Sequence, residues 1–464
     1  MKFPRLSAIR LSFLIVIQLV KRKKIWLLAI LGLVIVLILA VLVGIFSPKQ
    51  ILREGMVGTY QQHDLPVEIV ELASDGLVEM DENGQIQPKL VEGWDVNNDA
   101  TIFKFKLKQG VRWIDGTDIK SEDLAFDIAN TEVTYPDSQT IQFKLKEAYS
   151  PFPSLLVRPV FKKGTLIGTG PYKITKVEKS RIFITKLSLD PQIKDLPQIQ
   201  VRFYPNDKVA LTGFNVGEVQ SLLGIPNPDN LQNNPQLKRK QMVDFKKIVT
   251  IIYNTQDPLL SSRSLRQALS FQAPLVEGED VANNPYPRSW WVYAEDAKKY
   301  LNNPEEAKEA LERAQSSLSE EQLKGELILT TTPNLEEMAK IIVLAWKGLG
   351  FDAKLRIESG IPQNFQALLI TQSIPDDPDQ YFLWHSSQTK TNLSKYSQAR
   401  ADKDLEDGRR VINEEERKKI YHDFQATILE DAPATFLYFP KYHVVYLKKV
   451  ESLLDKVLNM QLAL

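Results

Sequence analysis

The strongest constraint on the fold lies in the run Thr101-Ile-Phe-Lys-Phe-Lys-Leu107. Ile102, Lys104 and Lys106 fall on one side of the alternation, and Phe103, Phe105 and Leu107 on the other. Successive side chains of an extended chain project to opposite faces, so the second set makes one apolar edge. The run is expected to be a strand with that face buried. Turn residues punctuate both sides: Asp81-Glu-Asn-Gly84 and Asn97-Asn-Asp99 before it, Gly110 and Asp115-Gly116 after it. Ser121 precedes Glu122, Asp123 and a further apolar run in the manner of a helix N-cap. Residues 72–127 are therefore expected to form a β-meander closing onto a helix.

The rest of the chain is long enough for several such modules. Its 464 residues can bury a large core and divide into two or more lobes. Lys plus Arg equals Asp plus Glu at 58 each, a balance that gives no reason to expect a nucleic-acid partner. There is no cysteine, which excludes disulfides, thiolate metal sites, a Cys nucleophile and lipid attachment through an N-terminal Cys. His63, His385, His422 and His443 are scattered without paired ligand spacing.

Residues 25–46 (IWLLAILGLVIVLILAVLVGIF) carry no charge. As a helix they would span about 33 Å, enough for a hydrocarbon core of about 30 Å. Lys21-Arg-Lys-Lys24 stands directly before them, with Lys2, Arg5 and Arg10 upstream. The positive-inside rule then places residues 1–24 in the cytoplasm and everything after Ser47 outside the membrane. The run is longer than a signal-peptide core and ends Gly-Ile-Phe-Ser-Pro, so an uncleaved anchor is expected rather than a cleaved signal. Residues 6–20, interrupted by Arg10 and Gln18, read as an interfacial helix.

Further along, Thr140, Gln142 and Lys144 alternate with Ile141, Phe143 and Leu145 as a second one-sided strand. Gly168-Thr-Gly-Pro-Tyr-Lys-Ile174 is a tight turn before a strand and lacks the P-loop pattern. Lys208 to Gly217 reads as a helix and turn, and Val249-Thr-Ile-Ile-Tyr-Asn254 as a buried strand ahead of a helix from Ser264. Asn303 caps a helix with Pro304 at its first position. Leu335, Met338, Ile342, Ala345 and Leu349 mark the apolar stripe of another, ended by Gly350. Asn413, with Glu416 at the capping-box position, opens a third.

Taken in order, Leu90-Val-Glu-Gly-Trp-Asp-Val96, the 101–107 strand, Gly110-Val-Arg-Trp-Ile-Asp-Gly116, the Gly-Thr-Gly-Pro-Tyr-Lys-Ile string and Arg266-Gln-Ala-Leu-Ser270 closely resemble the family 5 extracellular solute-binding proteins, the oligopeptide, dipeptide and nickel receptors of ABC importers. The resemblance implies an α/β, two-lobed clamshell of the type II periplasmic-binding kind with an extra small β-rich lobe. Here an N-terminal transmembrane helix precedes it. Lobe I would comprise residues 47–76, 164–248 and 436–464, the small lobe II residues 77–163, and lobe III residues 249–435. The chain departs from the family in lacking a long helical insert after Ser121, and in carrying Ala273-Pro-Leu-Val-Glu-Gly278 where members continue a helix.

No catalytic motif, metal spacing or nucleotide loop is present in the sequence, so neither an enzyme nor a cofactor is expected. The resemblance implies capture of a peptide or other small solute by a monomeric, membrane-anchored receptor that delivers it to ABC permease subunits. Two other readings stand beside it: a degenerate ectodomain acting as scaffold or sensor, and a hydrolase needing an acid/base pair across the cleft. Trp113, Asp376, Tyr381 and Trp384 are the candidates for the cleft wall. Trp113 fits a core position equally well, Trp384 a plug of lobe III, and Asp376 a turn cap. Residues 283–293 are either a surface loop or a cleft wall. Peptide-binding members place an Asp four residues before the Pro of this loop to pair with the ligand's α-ammonium; counting back from Pro378 gives Ile374. Either Asp376 or Asp377 takes that role, or the ligand lacks a free amino terminus, because an apolar side chain cannot compensate a buried charge.

Overall fold

The computed structural model describes residues 32–36, 50–61, 64–225 and 235–461. The chain divides into two units, Met1–Ile51 and Leu52–Leu464. Of the first, residues 32–36 are helical, with their apolar side chains exposed. The rest of the expected anchor, the segment 6–20 and His63 lie outside the described residues. Among the described residues no helix is long and apolar enough to cross a membrane.

The second unit is built on three main sheets. One has seven strands in the order Leu237–Val243, Lys441–Leu447, Ser221–Ile225, Ile51–Val57, Gln198–Tyr204, Phe183–Pro191 and Tyr172–Ser180. Ile51–Val57 occupies the middle of this sheet, parallel to Ser221–Ile225. The residues after it, Val67–Ala73, form a helix that buries Ile69, Leu72 and Ala73.

A second sheet has six strands: Asp280–Val281, Ala434–Phe439, Lys247–Tyr253, Ala367–Ser373, Glu326–Thr331 and Asp352–Ile357. Lys247–Tyr253 is buried from Ile248 onward, as its near-continuous apolar run requires. The helices Arg263–Gln272, Pro304–Gln315, Glu336–Gly348, Ala399–Gly408 and Glu414–Asp431 belong to this lobe. Asn303 Oδ1 accepts the Glu306 N–H at 3.3 Å and Asn413 Oδ1 that of Glu416 at 3.0 Å, so both expected caps form.

The small lobe holds the hairpin Val78–Met80/Ile86–Pro88 and an antiparallel sheet ordered Val91–Val96, Ile102–Leu107, Thr140–Leu145, Thr131–Asp137. Phe103, Phe105 and Leu107 are buried as their spacing demands. Asn97 Oδ1 accepts the N–H groups of Thr101 and Ile102 at 2.9 and 2.8 Å, fixing the turn ahead of the strand. The expected helix at Ser121 is corrected to a single 3-10 turn, Ser121–Asp123. Leu124, Phe126 and Ile128 then repeat every second residue and pack on the small lobe's core, a strand period where a helix needs a spacing of three to four.

The first two sheets are joined by two short crossings that run side by side. Lys247 N–H donates to Asp244 O at 3.1 Å, and Asp244 N–H to Pro440 O at 2.9 Å. Ala434–Phe439 lies entirely in the six-stranded sheet, and Pro440 is the return point.

Candidate functional site

A cavity of about 1380 Å³ opens between the seven-stranded and six-stranded lobes. Met56, Leu223, Met242, Tyr442 and Val444 from the first sheet line one side. Asn283, Tyr286, Trp290, Tyr293 and Phe439 line the other, the crossing residues Asp244–Lys247 form the back, and Met80–Glu82 of the hairpin reach the rim. The wall is mostly apolar and aromatic, as solute pockets are, and exceeds the usual several hundred Å³. The residue 283–293 segment is therefore cavity wall: Tyr286 and Trp290 are buried, and the Tyr286 hydroxyl donates to Pro378 O at 2.7 Å.

A second cavity of about 520 Å³ lies where the three lobes meet. It shares Val67, Glu71 and Lys246 with the first, and it is lined by Tyr149, Leu155 and Arg158 of the small lobe and by Pro375–Asp377 and Asp379 of the third. Burial pushes the Glu71 carboxyl above its ordinary value, Lys246 pulls it partly back, and Glu68 and Asp376 push it further up.

The three aspartates of the loop differ sharply in setting. Asp377 is buried, and Arg417 Nη2 donates to its Oδ1 at 2.7 Å. Asp379 is also buried, 3.2 Å from Arg409 Nε. That contact is an ion pair without good hydrogen-bond alignment, since Arg409 Nε has no acceptor in line among the described residues. Burial raises the Asp379 carboxyl to about 6 against the pull of Arg409. Asp376 remains reachable by water and lies 3.7 Å from Lys246 Nζ.

Of the four residues singled out in the sequence, only Asp376 lines either cavity. Trp113 is 1% exposed in the core of the small lobe. Trp384 is 2% exposed in the third lobe's core, its Nε1 donating to Gln380 Oε1 at 2.8 Å. Tyr381 is half-buried, stacked on His385 at 4.1 Å with the Arg409 guanidinium 4.4 Å from its ring. Sequence reasoning missed Glu71, Lys246 and Tyr442. For Lys246 and Tyr442 the signal was topological, since both lie at or beside the crossings between the two sheets; Glu71, on the helix Val67–Ala73, carried no such signal. Among the described residues no cluster of three metal-ligating side chains occurs.

The sequence pattern of the bacterial extracellular solute-binding proteins, family 5 Middle, matches residues 85–393, well over half of the chain. The chain belongs to that family. This family 5 protein is 23% identical to the oligopeptide-binding protein AppA of Bacillus subtilis over 85% of each chain. It is 23% identical to the dipeptide-binding protein of Escherichia coli over 76% of this chain and 81% of that relative. Among solved structures, NikZ from Campylobacter jejuni in complex with Ni(L-His) superposes with a TM-score of 0.67 at 21% identity, covering 86% of this chain and 94% of that one. Bacillus subtilis AppA in complex with a nonapeptide gives 0.61 at 20%, covering 87% and 95%. At these identities the likeness establishes the two-lobed type II periplasmic-binding fold of mixed α/β construction. The relatives are named as binding proteins.

Proposed function

We propose that this family 5 protein is a membrane-anchored receptor that captures a peptide or similar small solute in the cleft between its lobes and delivers it to the permease of an ABC importer. It does no covalent chemistry on that solute. The observation that carries the reading is the pair of adjoining cavities at the junction of three lobes, backed by two short adjacent crossings that run in opposite directions. Such crossings suit a hinge, in which a few residues absorb the rotation while the lobes move as bodies. The printed names of the relatives supply the solute class, and the uncharged run at residues 25–46 supplies the tether.

The deciding experiment is native mass spectrometry and calorimetry of the full chain with a peptide library. Retention of peptides at micromolar concentration supports the proposal. No retained peptide at about 1 mM, a binding free energy of only about −4 kcal/mol, ends it. Extraction of membranes at alkaline pH tests the tether separately: release of the chain into the soluble fraction rules out an integral anchor.

A further inference from the structure

Each aspartate of the 376–379 loop is matched to its own base: Asp376 to Lys246 at 3.7 Å, Asp377 to Arg417 at 2.7 Å and Asp379 to Arg409 at 3.2 Å. The three bases are not equally available. The side chains of Arg417 and Arg409 are 9% and 24% exposed and stay with their partners; that of Lys246 is 50% exposed. Lys246 also lines both cavities, at the point where they adjoin. Its backbone is held on two sides, the N–H donating to Asp244 Oδ1 at 3.1 Å and the carbonyl accepting from Ile374 N–H at 2.8 Å. The side chain thus extends from a fixed backbone into the cleft.

A solute ammonium approaching Asp376 meets a position already held by an ammonium group, and the two like charges compete for one carboxylate. A neutral end meets no such competition and gains Lys246 as a donor. Resting on the reading that a solute lies in this cleft, we propose that Lys246 sets its charge selectivity. The protein's own ammonium lies 3.7 Å from the Asp376 carboxylate, so the cleft selects peptides whose amino terminus is capped, or solutes presenting an uncharged group there, over free amino termini.

The test uses the full chain and a tripeptide library in which every sequence is present both with a free and with an N-acetylated amino terminus. The retained fraction is read by native mass spectrometry. Wild type is expected to retain the acetylated form at least as well as the free form. In K246M, and equally in K246Q, the freed Asp376 carboxylate shifts the free-to-acetylated ratio upward by about tenfold, the size of one charge-assisted hydrogen bond. K246R keeps the wild-type ratio, and D376N added to K246M abolishes the gain. Retention by wild type with a preference for free amines, or an unchanged ratio in K246M and K246Q, overturns the role of Lys246 while leaving peptide capture intact. No retained peptide in wild type or any variant overturns both.

Discussion

Glu54 has an unusual place for a carboxylate. It lies between Leu52 and Met56 on the strand Ile51–Val57, 3% exposed and directly opposite Ser221. Its Oε1, the Ser221 hydroxyl and the Tyr172 hydroxyl all lack an aligned partner among the described residues. Burial pushes the Glu54 carboxyl up to about 7. The folded protein therefore holds this proton where the unfolded chain has lost it. The associated stability is fully present below about 4.5 and lost as pH rises through about 7. The difference amounts to about 3 kcal/mol above that range. Glu54→Gln should match wild type near pH 4.5 and exceed it in urea midpoint near pH 8; parallel pH profiles for the two proteins would refute this. Single residues were also where sequence reasoning was weakest. Trp113 and Trp384 are as suited to a core as to a ligand wall, since a large apolar ring is buried in either, and both lie in cores. Lys246, one of two adjacent lysines in a turn, carries no sign in the sequence that it faces a cleft.

At the scale of elements, the six-stranded lobe is pinned by one buried cation. Arg266, on Arg263–Gln272, donates to the carbonyls of Leu260, Ser261, Asp431 and Ala432 at 2.8, 3.0, 2.6 and 3.0 Å. Ala432 sits at φ +46°, so Arg266 closes the end of Glu414–Asp431 where helical bonding has stopped. Arg266→Met keeps most of the volume but strands four acceptors. It is expected to cost about 3–5 kcal/mol, measured as a loss of urea midpoint at unchanged slope. The cap at Asn413 is worth less: Asn413→Ala should cost about 1 kcal/mol by the same assay. The Glu414–Asp431 helix and the 101–107 strand were legible because cap, period and terminator agree along them. The stretch after Ser121 was misjudged because a cap residue was weighed above the two-residue spacing of Leu124, Phe126 and Ile128. Those side chains pack on the small lobe's core.

At the scale of the whole folded unit, the small lobe touches the third lobe at two separate places. Trp291 N–H donates to Asn83 O at 2.8 Å and its Nε1 to Gly84 O at 3.2 Å. A Cβ at Gly84 would stand 2.8 Å from the Trp290 ring, so the hairpin tip fits only without a side chain there. Elsewhere Ser150 N–H donates to Arg409 O at 2.7 Å, and the Arg409 guanidinium lies 4.9 Å from the Tyr149 ring. The small lobe is also fastened to the first, where Val160 N–H donates to Asp75 O at 2.9 Å and Ile114 N–H to Gly168 O at 3.0 Å. If the cleft admits solute by rotation about the 244–247 and 440 crossings, the contacts to the third lobe are those that must break, because they span the hinge. On that rotation they would be lost as the cleft opens, and so would bias the equilibrium toward the form in which they are made. Trp291→Ala keeps the backbone bond to Asn83 but removes the indole hydrogen bond to Gly84 and a ring from that balance, about 1–2 kcal/mol, which should weaken apparent solute affinity by about 5- to 30-fold. The same substitution should enlarge the radius of gyration of the solute-free protein by small-angle scattering, with added solute restoring the compact value. An affinity loss with no change in solute-free dimensions would mean that Trp291 supports the wall directly and that the hairpin tip does not latch the lobes.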